Sequence, residues 1–217
     1  VSLERPKIWV KVCGVTSLAD TLAAMGAGAD WIGFNFVAQS PRRVTVERVA
    51  AILKEAPKGF SRVGVFQDAP PDEVEHAVRT LGLHVVQLHG AEDPEAYRGA
   101  GVPVVKAYAI SNAADLKAAA NSTADYVLLD SRSPQGGGSG EAFDWSLLEA
   151  FTRKFFLAGG LNPENVGDAI LRVRPYGVDV ASGVEKEPGR KDRQKLKSFV
   201  AAARAAEERV FSEIRGR

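Results

Sequence analysis

The sequence predicts an α/β fold, a single closed (β/α)8 TIM barrel spanning residues 1–217, on three observations. Short apolar, β-branched runs alternate with longer amphipathic ones, the pattern of a parallel sheet covered by helices. The rhythm repeats eight times with no change of composition that would mark a linker. A chain of 217 residues is also the size at which eight such units close into one barrel.

The first strand is Ile8-Trp9-Val10-Lys11-Val12-Cys13, ending at Gly14-Val15-Thr16. Side chains alternate along a strand, so Lys11 and Cys13 share one face and Val10 and Val12 the other. Ser17 stands before an Ala-rich run and is an N-cap signal for a helix through Ala27. Trp31 to Phe36 reads as the second strand, Gln39 to Arg43 as a polar loop, and Thr45 to Glu55 as a helix. Strand Arg62 to Phe66 precedes a helix from Pro71 to Leu81, with proline near its first turn. Strand Val85 to His89 precedes a helix from Asp93 to Ala100, and strand Val104 to Tyr108 one from Ala113 to Ala120. Strand Tyr126 to Asp130 runs into a Gly-rich stretch within residues 131–143, read as a closing loop, and then a helix from Trp145 to Thr152. Strand Phe155 to Ala158 leads through Gly159-Gly160 to a helix opened by Asn162-Pro163. The last strand is Gly177 to Val180 and the last helix Asp192 to Glu208.

Charge excludes some partners. With 28 basic and 27 acidic residues and a net charge of +1, there is no basic excess for nucleic acid or an anionic membrane. No stretch is long and apolar enough to span a bilayer, and Val1 to Lys7 has no apolar signal core. The single cysteine allows no intrachain disulfide and suits a reducing compartment, so the expected location is cytoplasmic. His76, His84 and His89 form no metal-ligand spacing with Cys13, and no metal site is expected.

A barrel of this kind does its chemistry at the C-terminal ends of its strands. Gathered there are Cys13, the loop holding Arg42, His89, Asp130, Gly159-Gly160 and the segment Asp179 to Glu185. Glycines after the last two strands, with Ser182 and Gly183, let backbone N–H groups approach an anion. Asp130, closing an apolar strand, has the surroundings of a general acid. Cys13 has Lys11 as a neighbour that favours the thiolate, and a thiolate serves as nucleophile or general base. Arg42, beside Pro41, is suited to clamp a carboxylate or a phosphate. His89 either orients a substrate or bonds within the rim.

The chain resembles the phosphoribosylanthranilate isomerase family over nearly its whole length. The resemblance is carried by Lys11 to Thr16, Gly33-Phe34 with Ser40-Pro41-Arg42, Val63 to Phe66, Gln87 to Gly90 and Leu128 to Asp130. It continues in Phe143-Asp144-Trp145, Leu157 to Val166 and Gly177 to Glu185. It implies a cofactor-free Amadori rearrangement of a small phosphoribosyl substrate. Cys13 would be the general base and Asp130 the general acid, with Arg42 on the anthranilate carboxylate. Gly159, Gly160, Ser182 and Gly183 would hold the phosphate, and Asp179, with Lys11 and His89, would line the substrate. Arg43 and Ala181 depart from the family pattern, where Tyr and Ser are frequent. A histidine-pathway aminoaldose isomerase and a non-catalytic phosphosugar-binding barrel are the alternatives. A monomer and a homodimer both fit the sequence.

Overall fold

The computed structural model describes residues 7–130 and 145–215. Eight parallel strands close in chain order: β1 (Trp9–Cys13), β2 (Trp31–Asn35), β3 (Ser61–Phe66), β4 (Val85–Leu88), β5 (Val104–Ala109), β6 (Tyr126–Asp130), β7 (Phe155–Ala158) and β8 (Gly177–Val180). The barrel shuts where β8 pairs with β1, Lys11 opposite Asp179. The helices are α1 (Leu18–Ala27), α2 (Val46–Glu55), α3 (Pro71–Leu81), α4 (Ala113–Ala120), α5 (Val166–Val173) and α6 (Arg193–Arg215). Among the described residues no helix is long and apolar enough to cross a membrane. The expected closing loop lies outside them.

Alternation along the strands divides the core in two. Val10, Val12, Ile32, Phe34, Val86, Leu88, Val127 and Leu129 point outward and meet the helices. Cys13, Trp31, Val63, Val65, Val85, Val105, Leu128, Phe156 and Ala158 fill the barrel. Both faces are therefore dry, which is why the strands read as near-continuous apolar runs.

Local signals account for most helix ends. Ser17 caps α1 by accepting the Asp20 N–H at 3.1 Å, and Thr45 caps α2 through the Arg48 N–H at 3.2 Å. Gly28 and Gly82 end α1 and α3 in the left-handed conformation.

Two expected helices are shorter and tighter than the sequence suggested. The segment expected as a helix from Asp93 forms 3-10 turns over Pro94–Ala100. Tyr97 is its one large buried anchor, too little to offset helix nucleation. The segment expected to run from Trp145 to Thr152 is a 3-10 turn over Trp145–Leu148. Its apolar Leu148 and Phe151 sit three apart, the repeat of a 3-10 turn. Conversely, α6 continues seven residues past the expected end at Glu208, to Arg215, because Val210 extends its buried stripe of Leu196, Phe199, Val200, Ala203 and Ala206.

One element was not foreseen. After β8 the chain makes a 3-10 turn (Ser182–Val184) and then a small antiparallel hairpin, β9 (Glu185–Glu187) and β10 (Arg190–Lys191), before α6 begins.

Candidate active site

The mouth of the barrel carries polar groups where the rest of the interior is apolar. Lys11 is 1% exposed and donates to Asp179 Oδ2 at 2.7 Å, a contact set by the strand register that places the two side by side. Its positive charge also acts on the Cys13 thiol, one side-chain layer nearer the mouth. Asp179 Oδ1 is buried and bonds to no described residue.

Cys13 fits because its neighbour is glycine. A Cβ on Gly33 would lie 2.9 Å from the Cys13 sulfur, so the glycine inside β2 makes room for the thiol. Lys11 and Lys191 pull the thiol toward the thiolate, as the sequence led one to expect of Lys11. Burial pushes harder the other way, Asp179 adds to it, and the thiol is held above its ordinary value. Lys11 itself loses by burial and gains more from Asp179 and Cys13, so it stays firmly charged.

Asp130 ends β6, inside the barrel and 9% exposed. Around the ring β7 and β8 stand between it and β1, so Cys13 and Asp130 occupy well-separated sectors of the same mouth.

Arg42, in the loop after β2, is held by a partner within the protein. Asn35 shapes its loop by bonding Ser40 Oγ at 3.2 Å and accepting the Val37 N–H at 2.8 Å, and Ser40 Oγ accepts the Arg42 N–H at 3.1 Å. The guanidinium then pairs with Glu185, Nε to Oε1 at 2.8 Å and Nη2 to Oε2 at 2.7 Å. Its stem presses on Gly14, where a Cβ would come 2.4 Å from Arg42 Cδ and where φ is +71°. That glycine answers both demands at once.

Lys191 is fully buried and donates to the Cys13 carbonyl at 2.6 Å, the Ala181 carbonyl at 3.1 Å and Glu185 Oε1 at 2.9 Å. Burial draws it below an ordinary lysine against the pull of Glu185. Burial works against Glu185 too, but Arg42 and Lys191 outweigh it and hold the carboxyl low.

The expected phosphate residues meet at one rim. Gly159 and Gly160 have φ of +88° and +64°, and Gly183 packs so closely that a Cβ would lie 2.0 Å from the Leu161 carbonyl oxygen. The turns after β7 and β8 therefore abut, with Gly160 and Ser182 exposed. His89, half-buried, pairs with the Gln87 side chain. Beside it Glu92 accepts the N–H groups of Asp68 at 2.6 Å and Gly90 at 2.7 Å and the Lys106 ammonium at 2.8 Å, clasping the turns after β3 and β4.

Sequence reasoning missed Lys191 and the pairing role of Glu185. The segment Glu185 to Lys191 is charged throughout and broken by Pro188-Gly189, which reads as a solvated loop.

A closed parallel barrel with acid–base side chains and a glycine-built rim at its C-terminal mouth defines a (β/α)8 enzyme of the phosphosugar-handling kind. The chain belongs to the N-(5'-phosphoribosyl)anthranilate (PRA) isomerase family, whose model matches residues 10–202. It is 45% identical over 203 residues to the N-(5'-phosphoribosyl)anthranilate isomerase of Myxococcus xanthus, covering 90% of this chain and 96% of that one. The crystal structure of phosphoribosyl anthranilate isomerase from Thermotoga maritima superposes with a TM-score of 0.84 at 41% identity, covering 92% of this chain and all of that one; the Thermotoga protein is described as dimeric. A phosphoribosyl anthranilate isomerase holding reduced 1-(o-carboxyphenylamino)-1-deoxyribulose 5-phosphate matches with a TM-score of 0.81 at 39% identity, over 92% of this chain and all of that one.

Proposed function

We propose that this chain performs its family's reaction with Asp130 as general acid and Cys13 as general base. It is an isomerase of tryptophan biosynthesis, converting N-(5-phosphoribosyl)anthranilate to 1-(2-carboxyphenylamino)-1-deoxyribulose 5-phosphate. The observation that supports the residue roles is the placement of one buried thiol and one buried carboxyl in separate sectors of the barrel mouth.

Asp130 protonates the furanose ring oxygen, the C1′–O bond breaks, and a protonated Schiff base forms. Cys13, as thiolate, takes the C2′ proton and gives a neutral enolamine. Moving the enol proton to C1′ yields the ketone. Each placed proton transfer contributes about 10²–10⁴ in rate. Gly159, Gly160, Ser182 and Gly183 hold the phosphate, whose binding energy fixes the reacting carbons. Arg42 receives the anthranilate carboxylate, and Asp179, through its unbonded Oδ1, receives the substrate amine. Lys11 anchors Asp179 and Cys13, and His89 lines the sugar.

The test is fluorescence-monitored consumption of N-(5-phosphoribosyl)anthranilate by the purified protein. Asp130→Asn is expected to lose turnover about 10²–10⁴-fold with KM little changed. An Asp130→Asn enzyme of normal kcat removes the assigned acid; binding without turnover in the wild type would leave only a phosphosugar-binding barrel. We further place the enzyme in the cytoplasm, which suits its single thiol, and read it as a homodimer like the Thermotoga protein. Light scattering of the purified chain, giving one subunit mass or two, decides the second point.

A further inference from the structure

Beyond the acid–base pair, the mouth contains a chain of charges that no proton transfer uses. It runs from Arg42 through Glu185 and Lys191 to the backbone carbonyl of Cys13. It joins the loop after β2, the β9–β10 hairpin and the end of β1. Glu185 is 4% exposed and Lys191 0%. Pairs this deep are weak stabilisers, because desolvation offsets their attraction, and apolar residues often replace them without loss.

Geometry indicates what the network does. An arginine has five N–H donors in a rigid plane. Glu185 takes the Nε–Nη2 edge, and the edge formed by Nη1 and the outer side of Nη2 bonds to no described residue. Arg42 remains 21% exposed, and that edge is the one left to bind a ligand. The three donors of Lys191 are matched by three acceptors, one of them the Cys13 carbonyl.

We infer that Glu185 and Lys191 are positioning residues, Glu185 fixing the plane of Arg42 so that its unbonded edge meets the substrate carboxylate, and Lys191 fixing the end of β1 that carries Cys13. This rests on the roles given above to Arg42 and Cys13. A preset guanidinium loses less freedom when the carboxylate arrives. The thiol also feels Lys191 directly. The charges facing it are Lys11 on its own strand, Asp179 on β8, Lys191 on β10 and Arg42 from the loop after β2. Removing Lys191 takes away one of the cations that favour the thiolate.

Steady-state kinetics on N-(5-phosphoribosyl)anthranilate across pH test this. Glu185→Gln is expected to raise KM about tenfold with kcat within twofold, the mark of lost ground-state orientation. Lys191→Met is expected to move the rise of kcat/KM to higher pH, and Lys191→Arg to restore it. The double variant Glu185→Gln/Lys191→Met removes the two buried charges together and leaves only Arg42, which is partly exposed, without its carboxylate; with a wild-type melting curve it should show both defects. A double variant that folds and keeps wild-type KM and pH profile overturns the inference. Arg42→Ala separates the layers. If it leaves KM unchanged, the reading of Arg42 itself fails; if it raises KM while Glu185→Gln does not, only the positioning role of Glu185 fails.

Discussion

The two ends of this barrel are built from the same eight strands and opposite materials. The N-terminal end is plugged by aromatic rings. Trp31 and Phe156 lie 4.7 Å apart, Tyr126 stacks on Tyr176 at 5.2 Å, and Trp9 leans on Trp31 at 6.1 Å. The C-terminal end holds Lys11, Cys13, Asp130 and Asp179, all buried, with glycines giving them room. Rings bury large apolar area and, apart from the Trp N–H and Tyr O–H at their edges, need no polar partners, whereas buried charges cost desolvation and must be matched. One end therefore supplies stability, and the mouth gives some up in exchange for reactive groups.

The largest effect that tests this division is at the mouth. Cys13→Ser should lower kcat by about 10²–10⁴, a hydroxyl being a far weaker base than a thiolate, and leave the melting temperature almost unmoved. In the wild type, kcat/KM should rise with pH through the neutral range. The base works as thiolate and burial holds the thiol above its ordinary value, so each step up in pH recruits more active enzyme. A flat profile with an active serine variant would show that Cys13 is merely a packed residue.

The reciprocal change is Phe156→Ala at the aromatic end. It removes a ring 1% exposed and should cost about 3–5 kcal/mol in chemical denaturation, while kcat per folded molecule stays near wild type. Loss of turnover in a fully folded variant would mean that the two ends are mechanically coupled.

A pair of glycines sharpens the contrast at smaller magnitude. Gly177 at the ring end would bring a Cβ 2.4 Å from Phe156 and 2.7 Å from the Trp9 carbonyl oxygen, and Gly33 at the mouth one 2.9 Å from the Cys13 sulfur. Alanine at either place overpacks by about 1–3 kcal/mol. Gly177→Ala should be read in stability alone. Gly33→Ala should also lower kcat, because the atom that must yield is the thiol.

These residues also show how far the sequence could be read. The barrel was legible because its strands are dry on both faces, which leaves an unbroken apolar signature in Val10, Val12, Leu129 and their like. Cys13, Asp130 and the two glycines after β7 were legible because they end such strands. The 3-10 turns at Pro94–Ala100 and Trp145–Leu148 were not, since a short amphipathic run has the same pattern in either helix. Nor was the partnership of Arg42 with Glu185, 143 residues later, or of Lys191 with the Cys13 carbonyl, 178 earlier. In the hairpin Glu185 and Lys191 are buried while Lys186, Glu187 and Arg190 are exposed, and a run of charges carries no mark of which members the fold will enclose.

The smallest predicted effect concerns a charge at the quiet end. Asp30 precedes β2, where its carboxylate accepts the Val10 N–H at 2.9 Å and Arg204 at 2.6 Å, with Lys7 at 2.8 Å. Burial pushes its carboxyl up, but Lys7, the Val10 amide and Arg204 together pull it lower than an ordinary aspartate. The unfolded chain then binds the proton more readily. The stabilisation is complete above the unfolded value of about 3.9 and is lost as pH falls through the folded value beneath it. Asp30→Asn should cost on the order of 1 kcal/mol at neutral pH and flatten the fall of stability on the acid side, with turnover unchanged. Because Lys7 is half exposed, part of the loss should fade in added salt. Urea unfolding of both proteins at neutral pH and in acid reads the difference. If the two lose stability in parallel as the pH drops, the carboxylate at this end contributes nothing, and the acid sensitivity belongs to the other carboxyls held low, Glu185, Asp192 and Glu47.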